Sequence, residues 1–183
     1  ECVLLFGRRL QVGRVKTRLA AEVGADRALA MYRMLVDEAA LLRNAERWDA
    51  VWCLTGDGAW PWDGRVWEQV EGDLGDRMEA AVERAFEEGA GRVVVVGTDV
   101  PDIGEVVVGR MFDALRSGVQ VVTVPVRDGG YGAIGLRQRP GGLFLGKTWS
   151  HSRVHEQALV AAATRGMRIC ALPCLSDVDD AAD

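Results

Sequence analysis

Arg92-Val93-Val94-Val95-Val96-Gly97-Thr98-Asp99-Val100-Pro101-Asp102 is the stretch whose reading decides the fold. Its valines run without polar interruption, so neither side of the segment faces water. Such a run reads as a strand buried on both faces, in the middle of a parallel sheet covered by helices. It ends at a Gly, a Thr and two aspartates. In open α/β sheets, ligands bind outside the carboxyl ends of the strands. An aspartate there can hold Mg²⁺ or Mn²⁺, hard cations that prefer oxygen ligands and share them with phosphates. Pro101 presets φ where a helix could start, so Asp99 and Asp102 also read as plain helix caps. On this stretch alone, site and cap stand level.

Outward from it, strand and helix patterns alternate. Cys2-Val3-Leu4-Leu5-Phe6 reads as the first strand, and Ala50-Val51-Trp52-Cys53-Leu54-Thr55 as the second. Further β-rich runs cover residues 119–126, 133–136 and 167–172. Helical patterns cover residues 17–22, 26–44 and 105–116. In the second of these, Leu29, Met31, Tyr32, Leu35, Val36, Ala39 and Leu42 form an apolar stripe. Asp73 can cap another helix, ended by Gly89. A last one runs from a cap at Ser150 or Ser152 to Arg165. Residues 56–72 read as irregular and hold Trp60, Trp62 and Trp67, a roof over the core or else the lining of an acceptor pocket or a partner surface. The alternation predicts one α/β domain over residues 1–183, a three-layer sandwich with a mostly parallel sheet.

Composition narrows the class. A chain of 183 residues is about one domain long and can bury roughly 70% of its unfolded surface. A net charge of −5 argues against a dedicated nucleic-acid or membrane-surface binder. No apolar run reaches the ~20 residues of a spanning helix, and no signal-peptide pattern is present. The chain opens into a strand at Glu1-Cys2 without Met, so its true start is read as missing or trimmed. Of the four cysteines, Cys2 and Cys53 sit in strand-like runs as small core residues. Cys170 and Cys174 lack a second pair for zinc. A reducing cytoplasm fits best.

Chemistry gathers in the first loop, Gly7-Arg8-Arg9-Leu10-Gln11-Val12-Gly13-Arg14-Val15-Lys16-Thr17-Arg18. Glycines let backbone N–H groups approach a phosphate, and a helix N-terminus adds a favourable dipole. Arg8, Lys16 and Arg18 supply positive charge on an acidic protein. The spacing is neither Walker A nor G-x-G-x-x-G, so ATPase and dinucleotide dehydrogenase readings are unsupported. A basic surface loop is the competing reading. His151 and His155 form an i,i+4 pair that reads as a solvated helix start. No Ser-His-Asp or Cys-His set is legible.

Four ordered blocks carry a resemblance. Gly13-Arg14-Val15-Lys16-Thr17-Arg18-Leu19 is similar to "G-x-V-K-T-R-L" of the DUF2064 family, also called the selenodomain-associated transferase 1 group. Gly72-Asp73-Leu74-Gly75-Asp76-Arg77-Met78 resembles its "G-D-L-G-x-R-M", and residues 97–102 its "G-T-D-x-P-D". Asp128-Gly129-Gly130-Tyr131, with Ile134-Gly135-Leu136, resembles "D-G-G-Y-x-x-I-G-L". Trp149-Ser150 and Asp177-Val178-Asp179 match two shorter marks. Arg8 stands where the family usually has Lys, and Leu10 and Val12 where it often has Pro. Val124 replaces a usual Gly, and Gly132 a common aromatic.

The resemblance implies a glycosyltransferase-A-like, nucleotide-diphospho-sugar transferase fold. Its relatives are nucleotidyltransferases such as those making molybdopterin dinucleotide and the F420 precursor; some members are assigned to arsenosugar biosynthesis. On that footing Arg8, Gly13, Lys16, Arg18, Gly72, Asp73 and Arg77 would bind the nucleotide. Asp99 would hold Mg²⁺ or Mn²⁺ and serve the chemistry. Asp128 would be general base or second metal ligand, and Gly129, Gly130, Tyr131 and Trp149 would face acceptor or sugar. The implied partners are a nucleotide sugar or NTP and a small-molecule acceptor, with self-association left open. Three functions compete: glycosyl transfer from a nucleotide sugar, nucleotidyl transfer from an NTP to a phosphorylated acceptor, and nucleotide binding without catalysis.

Overall fold

Val93–Gly97 does form a strand, β4, and its valines are all buried. The computed structural model, which describes residues 1–180, puts it at the centre of a seven-stranded sheet. In chain order the elements are β1 (Cys2–Arg8), α1 (Thr17–Val23), α2 (Ala25–Ala40), β2 (Asp49–Thr55), β3 (Arg65–Glu68) and α3 (Leu74–Glu87). After β4 come α4 (Glu105–Arg116), β5 (Val121–Pro125), β6 (Tyr131–Leu136), α5 (Val154–Thr164) and β7 (Ile169–Ala171). The strand order is β3-β2-β1-β4-β6-β5-β7. Strand β6 runs antiparallel to both its neighbours, and the other pairings are parallel.

Alternate side chains of the central strands feed two cores. On one face Val3, Leu5, Val94 and Val96 pack with Tyr32 and Val36 of α2 and with Met111 and Phe112 of α4. On the other, Leu4, Val93 and Val95 pack with Met78 and Val82 of α3 and Ala162 of α5. This gives the predicted helix–sheet–helix sandwich, and it explains why β4 tolerates no polar residue. Each fully buried Val or Leu contributes about 1.5–3 kcal/mol of apolar transfer. Cys2 and Cys53 are core residues as expected, and burial pushes the Cys2 thiol up to about 11. No helix among the described residues is long and apolar enough to cross a membrane.

Local expectations needed correction at four places. Residues 56–72 are not wholly irregular, because β3 pairs with β2 at the sheet edge. There Trp67 is buried, with the Arg84 guanidinium 4.2 Å from its ring centroid. Trp60 stands edge-on to Trp52 at 4.9 Å, with Trp62 4.6 Å beyond it, so these rings cover the core edge. The 26–44 pattern leaves the α-helix at Ala40 and ends as a 3₁₀ turn, Leu41–Asn44. Neither Asp99 nor Asp102 caps α4: a turn closed by Ile103 N–H to the Val100 carbonyl (3.2 Å) intervenes, and Gly104 is the N-cap. Neither Ser150 nor Ser152 caps α5, which starts one residue after Arg153.

Candidate functional site

Strands β1 and β4 lie side by side and parallel, so their carboxyl ends deliver the first loop and residues 97–102 to one edge. Strand β6 runs the other way, so the Asp128 turn at its amino end arrives at the same edge. A cavity of about 700 Å³ opens there. Arg8, Arg14, Lys16 and Arg18 line it from the first loop, Arg77 from α3, Asp99 from the segment after β4, Asp128 from the turn before β6 and Asp179 from the stretch after β7.

Lys16 is the hub. Its side chain is only 5% exposed, and its Nζ lies 2.6 Å from Asp99 Oδ1 and 3.2 Å from Asp179 Oδ1. The same ammonium donates to the Val178 carbonyl at 2.5 Å. Lys16 adopts a left-handed backbone (φ 45°, ψ 51°) as it enters α1, a conformation uncommon for a side-chain-bearing residue. Arg18 reaches Asp179 Oδ2 at 3.3 Å from a far more exposed position. Arg8 folds over the loop and donates to the Arg14 carbonyl at 3.1 Å.

Tyr32 is a residue that sequence reasoning left in the core alone. Its hydroxyl accepts from the Arg8 N–H at 2.7 Å and donates to the Arg8 carbonyl at 2.9 Å. That pins the strand end from which the loop departs. Burial pushes the phenol up, so it remains a donor. Its apolar-stripe position gave no signal of this second task.

The acidic tail of the described chain belongs to the site. Val178 N–H donates to the Asp99 carbonyl at 3.0 Å, and carboxylate oxygens of Asp128, Asp177 and Asp179 lie within 4.8 Å of one another. Hard carboxylate oxygens at this spacing fit Mg²⁺ or Mn²⁺. Asp99, the expected metal ligand, stands outside that group and is engaged by Lys16. Asp128 also accepts from Gly130 N–H at 2.7 Å, an Asx turn that aims the carboxylate at the cavity.

Several expected binders do not reach the cavity wall. From the 72–78 block Leu74 and Arg77 do, whereas Gly72 and Asp73 do not. Asp73 instead forms a capping box with Asp76, both hydrogen bonds measuring 3.0 Å. Gly72 is required because a Cβ there would lie 2.4 Å from an Asp76 carboxylate oxygen. Gly13 shapes the loop at φ 71° without lining the cavity. Gly129 anchors the Asp128 turn to α5 by accepting from His155 N–H at 2.9 Å.

A smaller compartment of about 190 Å³ adjoins the first and shares Asp128 and His151 with it. Gly130, Tyr131 and Trp149 line it, together with Phe6, Leu74 and Met78. Gly132 leaves no room for the aromatic common at its position: a Cβ would come within 2.6 Å of Val100 Cγ2. The two histidines do not form a solvated face. His155 Nε2 pairs with the buried Thr123 Oγ1 at 2.9 Å, and His151 Nε2 with Thr148 Oγ1 at 2.9 Å.

Residues 18–151 match the family described as "Uncharacterized protein conserved in bacteria (DUF2064)". The chain belongs to the DUF2064 family. Its structure is similar to a Desulfovibrio desulfuricans G20 protein that bears the provisional name nucleotide-diphospho-sugar transferase. The two are 30% identical, superpose with a TM-score of 0.90, and the match covers 98% of this chain and 82% of that one. The DUF2064 chain shares its fold with CMP:2-keto-3-deoxy-manno-octonic acid synthetase, solved with CTP (TM-score 0.61, 12% identity, 100% and 94% covered). It shares it also with Mycobacterium tuberculosis glucosyl-3-phosphoglycerate synthase, solved with Mn²⁺, UDP and glucosyl-3-phosphoglycerate (TM-score 0.57, 12% identity, 96% and 70% covered). No curated protein matches the chain.

Proposed function

We propose that this DUF2064 protein transfers a glycosyl group from a nucleotide-diphosphate sugar to a small acceptor, with Mg²⁺ or Mn²⁺. The observation that carries the reading is the meeting of Lys16 with Asp99 and Asp179 in a cavity of about 700 Å³. Ligand sites of this kind run to about 300–1,000 Å³. Basic side chains beside carboxylates suit a diphosphate carrying a dication.

Lys16, Arg18 and Arg77 would hold the phosphates by charge-assisted hydrogen bonds. Asp177 and Asp179 would hold the cation, with Asp128 beside them left for the acceptor's proton and Asp99 holding Lys16. A cation held there would neutralise charge on the diphosphate as it leaves. In the transfer, the acceptor hydroxyl oxygen bonds to the anomeric carbon and the bond from that carbon to the diphosphate breaks. The nucleoside diphosphate leaves with the electron pair, and Asp128 takes the hydroxyl proton.

One observation favours nucleotidyl transfer as a second reading. Arg8, Arg14, Lys16, Arg18 and Arg77 outnumber Asp99, Asp128 and Asp179 along the described cavity wall, a surplus that suits a triphosphate. In that case an acceptor oxygen attacks the α-phosphorus and pyrophosphate leaves. Incubation with panels of nucleotide sugars and NTPs, with Mg²⁺ or Mn²⁺ and mass-spectrometric detection, separates the two. Nucleoside diphosphate release supports glycosyl transfer, pyrophosphate release the alternative, and turnover of neither leaves a binding protein.

A further inference from the structure

The cavity of about 700 Å³ has two ends of different character. Along the sheet edge, Asp99 follows β4 and Asp128 precedes β6, with Lys16 held between Asp99 and Asp179. In the other direction β2 contributes Thr55, and the chain just after β3 contributes Gln69, both uncharged. Strands in a sheet lie about 4.8 Å apart, so the ends of β2 and β4 stand roughly 10 Å from each other across β1. A diphosphate held at Lys16, with its transferred group towards Asp128, sends its nucleoside the opposite way. The base then reaches Thr55 and Gln69.

Gln69 is held at that end by three hydrogen bonds. Its main-chain N–H donates to the Leu54 carbonyl at 2.8 Å. Its side-chain Nε2 donates to the Cys53 carbonyl at 2.8 Å and to the Gly7 carbonyl at 3.4 Å. Two carbonyl partners require the amide nitrogen on that side, because an amide oxygen facing them finds no donor. Both amide hydrogens are thereby taken by the ends of β1 and β2. Oε1 accepts nothing from the described residues and, unlike Gln157 Oε1, is not closed off from solvent. A hydrogen-bond acceptor of fixed orientation is left on the cavity wall.

We propose that Gln69 Oε1 reads the nucleobase, accepting an N–H from its hydrogen-bonding edge. This rests on the proposed transfer from a nucleotide and adds to it the place of the base. The amide is locked before the ligand arrives, so little side-chain freedom is lost on binding. With its own hydrogens taken, Gln69 selects for a hydrogen on the base and not for a lone pair. A base edge whose N–H hydrogens are replaced by methyl groups offers it nothing and leaves Oε1 unpaired.

Calorimetric titration tests this, with Mn²⁺ present throughout and UDP, GDP, CDP, ADP and pyrophosphate as probes. The tightest of the four nucleotides is compared with its counterpart carrying methyl groups in place of the N–H hydrogens on the base edge. The nucleotide should bind the parent more tightly than pyrophosphate does, and methylation should weaken it at least about threefold. Gln69→Met, which keeps the length and loses the amide, should weaken the nucleotide roughly threefold to tenfold, the usual worth of one neutral hydrogen bond. Pyrophosphate affinity should stay within about twofold in that variant. Methylation should cost the variant less than it costs the parent, because both changes remove one contact. Equal losses of nucleotide and pyrophosphate in Gln69→Met would mean that the amide only ties β1 to β2, and overturn the inference. Full binding of the methylated nucleotide to the parent overturns it too. Nucleotides that bind no tighter than pyrophosphate sink this inference alone and leave the phosphate site standing. Failure of nucleotides and pyrophosphate alike sinks the transfer reading with it.

Discussion

Lys16 Nζ lies 2.6 Å from Asp99 Oδ1, joining the loop that follows β1 to the segment that follows β4. Asp179 and the Val178 carbonyl complete the shell around that ammonium. On the proposed function, the charge meant for phosphate and the charge meant for the cation would thus already be in contact, and a nucleotide carrying its metal would have to redistribute both.

Lys16→Ala and Arg18→Ala should differ. Lys16 is 5% exposed and bonded to three groups, whereas Arg18 is 70% exposed and meets Asp179 alone. Loss of a charge-assisted hydrogen bond costs about 1.5–3 kcal/mol, so Lys16→Ala should weaken nucleotide binding roughly 10- to 150-fold. Arg18→Ala should cost only a few-fold, given solvent screening. Asp99 is half exposed, so Lys16→Ala should lower stability by only about 1 kcal/mol. Calorimetric titration with UDP or GDP and Mn²⁺ measures both affinities; equal losses would show that Lys16 holds no special place.

The carboxylates can be ranked. Asp177→Asn and Asp179→Asn should each reduce Mn²⁺ affinity by about tenfold or more, because the amide loses the charge a hard cation needs. Asp99→Asn should act mainly through the position of Lys16 and weaken nucleotide more than metal. Asp102→Asn, on an exposed turn that caps nothing, should change neither. Manganese paramagnetic resonance without nucleotide reads the first comparison directly. A drop in metal affinity confined to Asp99→Asn reverses the assignment.

Asp73→Ala should behave as a capping lesion. Losing an N-cap costs about 1 kcal/mol, or roughly 2–4 °C of melting temperature in a chain this long. Nucleotide affinity should stay within twofold of the parent. A large loss of affinity with unchanged melting would return Asp73 to the nucleotide site.

His155 gives the pH dependence a sign. Burial holds its imidazole below the ordinary value of 6.5, so the native state binds fewer protons than the unfolded one. Its contribution is fully present above pH 6.5 and is lost as pH falls through the folded value. His155→Gln, which keeps a partner for Thr123, should remove that part of the acid slope. Urea unfolding of parent and variant at several pH values checks it: the stability gap should narrow towards acid, and a gap constant with pH counts against the assignment.

The fold was legible because its signals are local. A run of valines ending in Gly-Thr-Asp needs only its own residues to declare a central strand. Strand β3 was hidden because four residues, Arg65-Val66-Trp67-Glu68, expose charges at a sheet edge and carry little period. The direction of β6 was hidden because a strand buried along its length reads the same both ways. At the site, residue type pointed to the basic loop and Asp99, and the family resemblance to Asp128, Tyr131 and Trp149; all of them line one of the two cavities. The packing of Asp179 against Lys16 could not be read, since 163 positions separate them and nothing in either neighbourhood names the other. Asp73 read from its own neighbourhood as the cap that it is, and only the resemblance made it a nucleotide binder: a carboxylate before a helix caps or binds depending on which way it turns.

That separation of 163 positions has a consequence for synthesis. Ribosomes make the Arg8 to Arg18 loop early and Asp179 late. A nascent chain that has released the loop but not residues 177–179 carries Lys16 and Arg18 without Asp179 as a counter-charge. During that interval Lys16 can meet Asp99 but not its second carboxylate, and Arg18 lacks the carboxylate it meets in the finished fold. Emergence of the acidic segment closes the interval and marks when the site first exists.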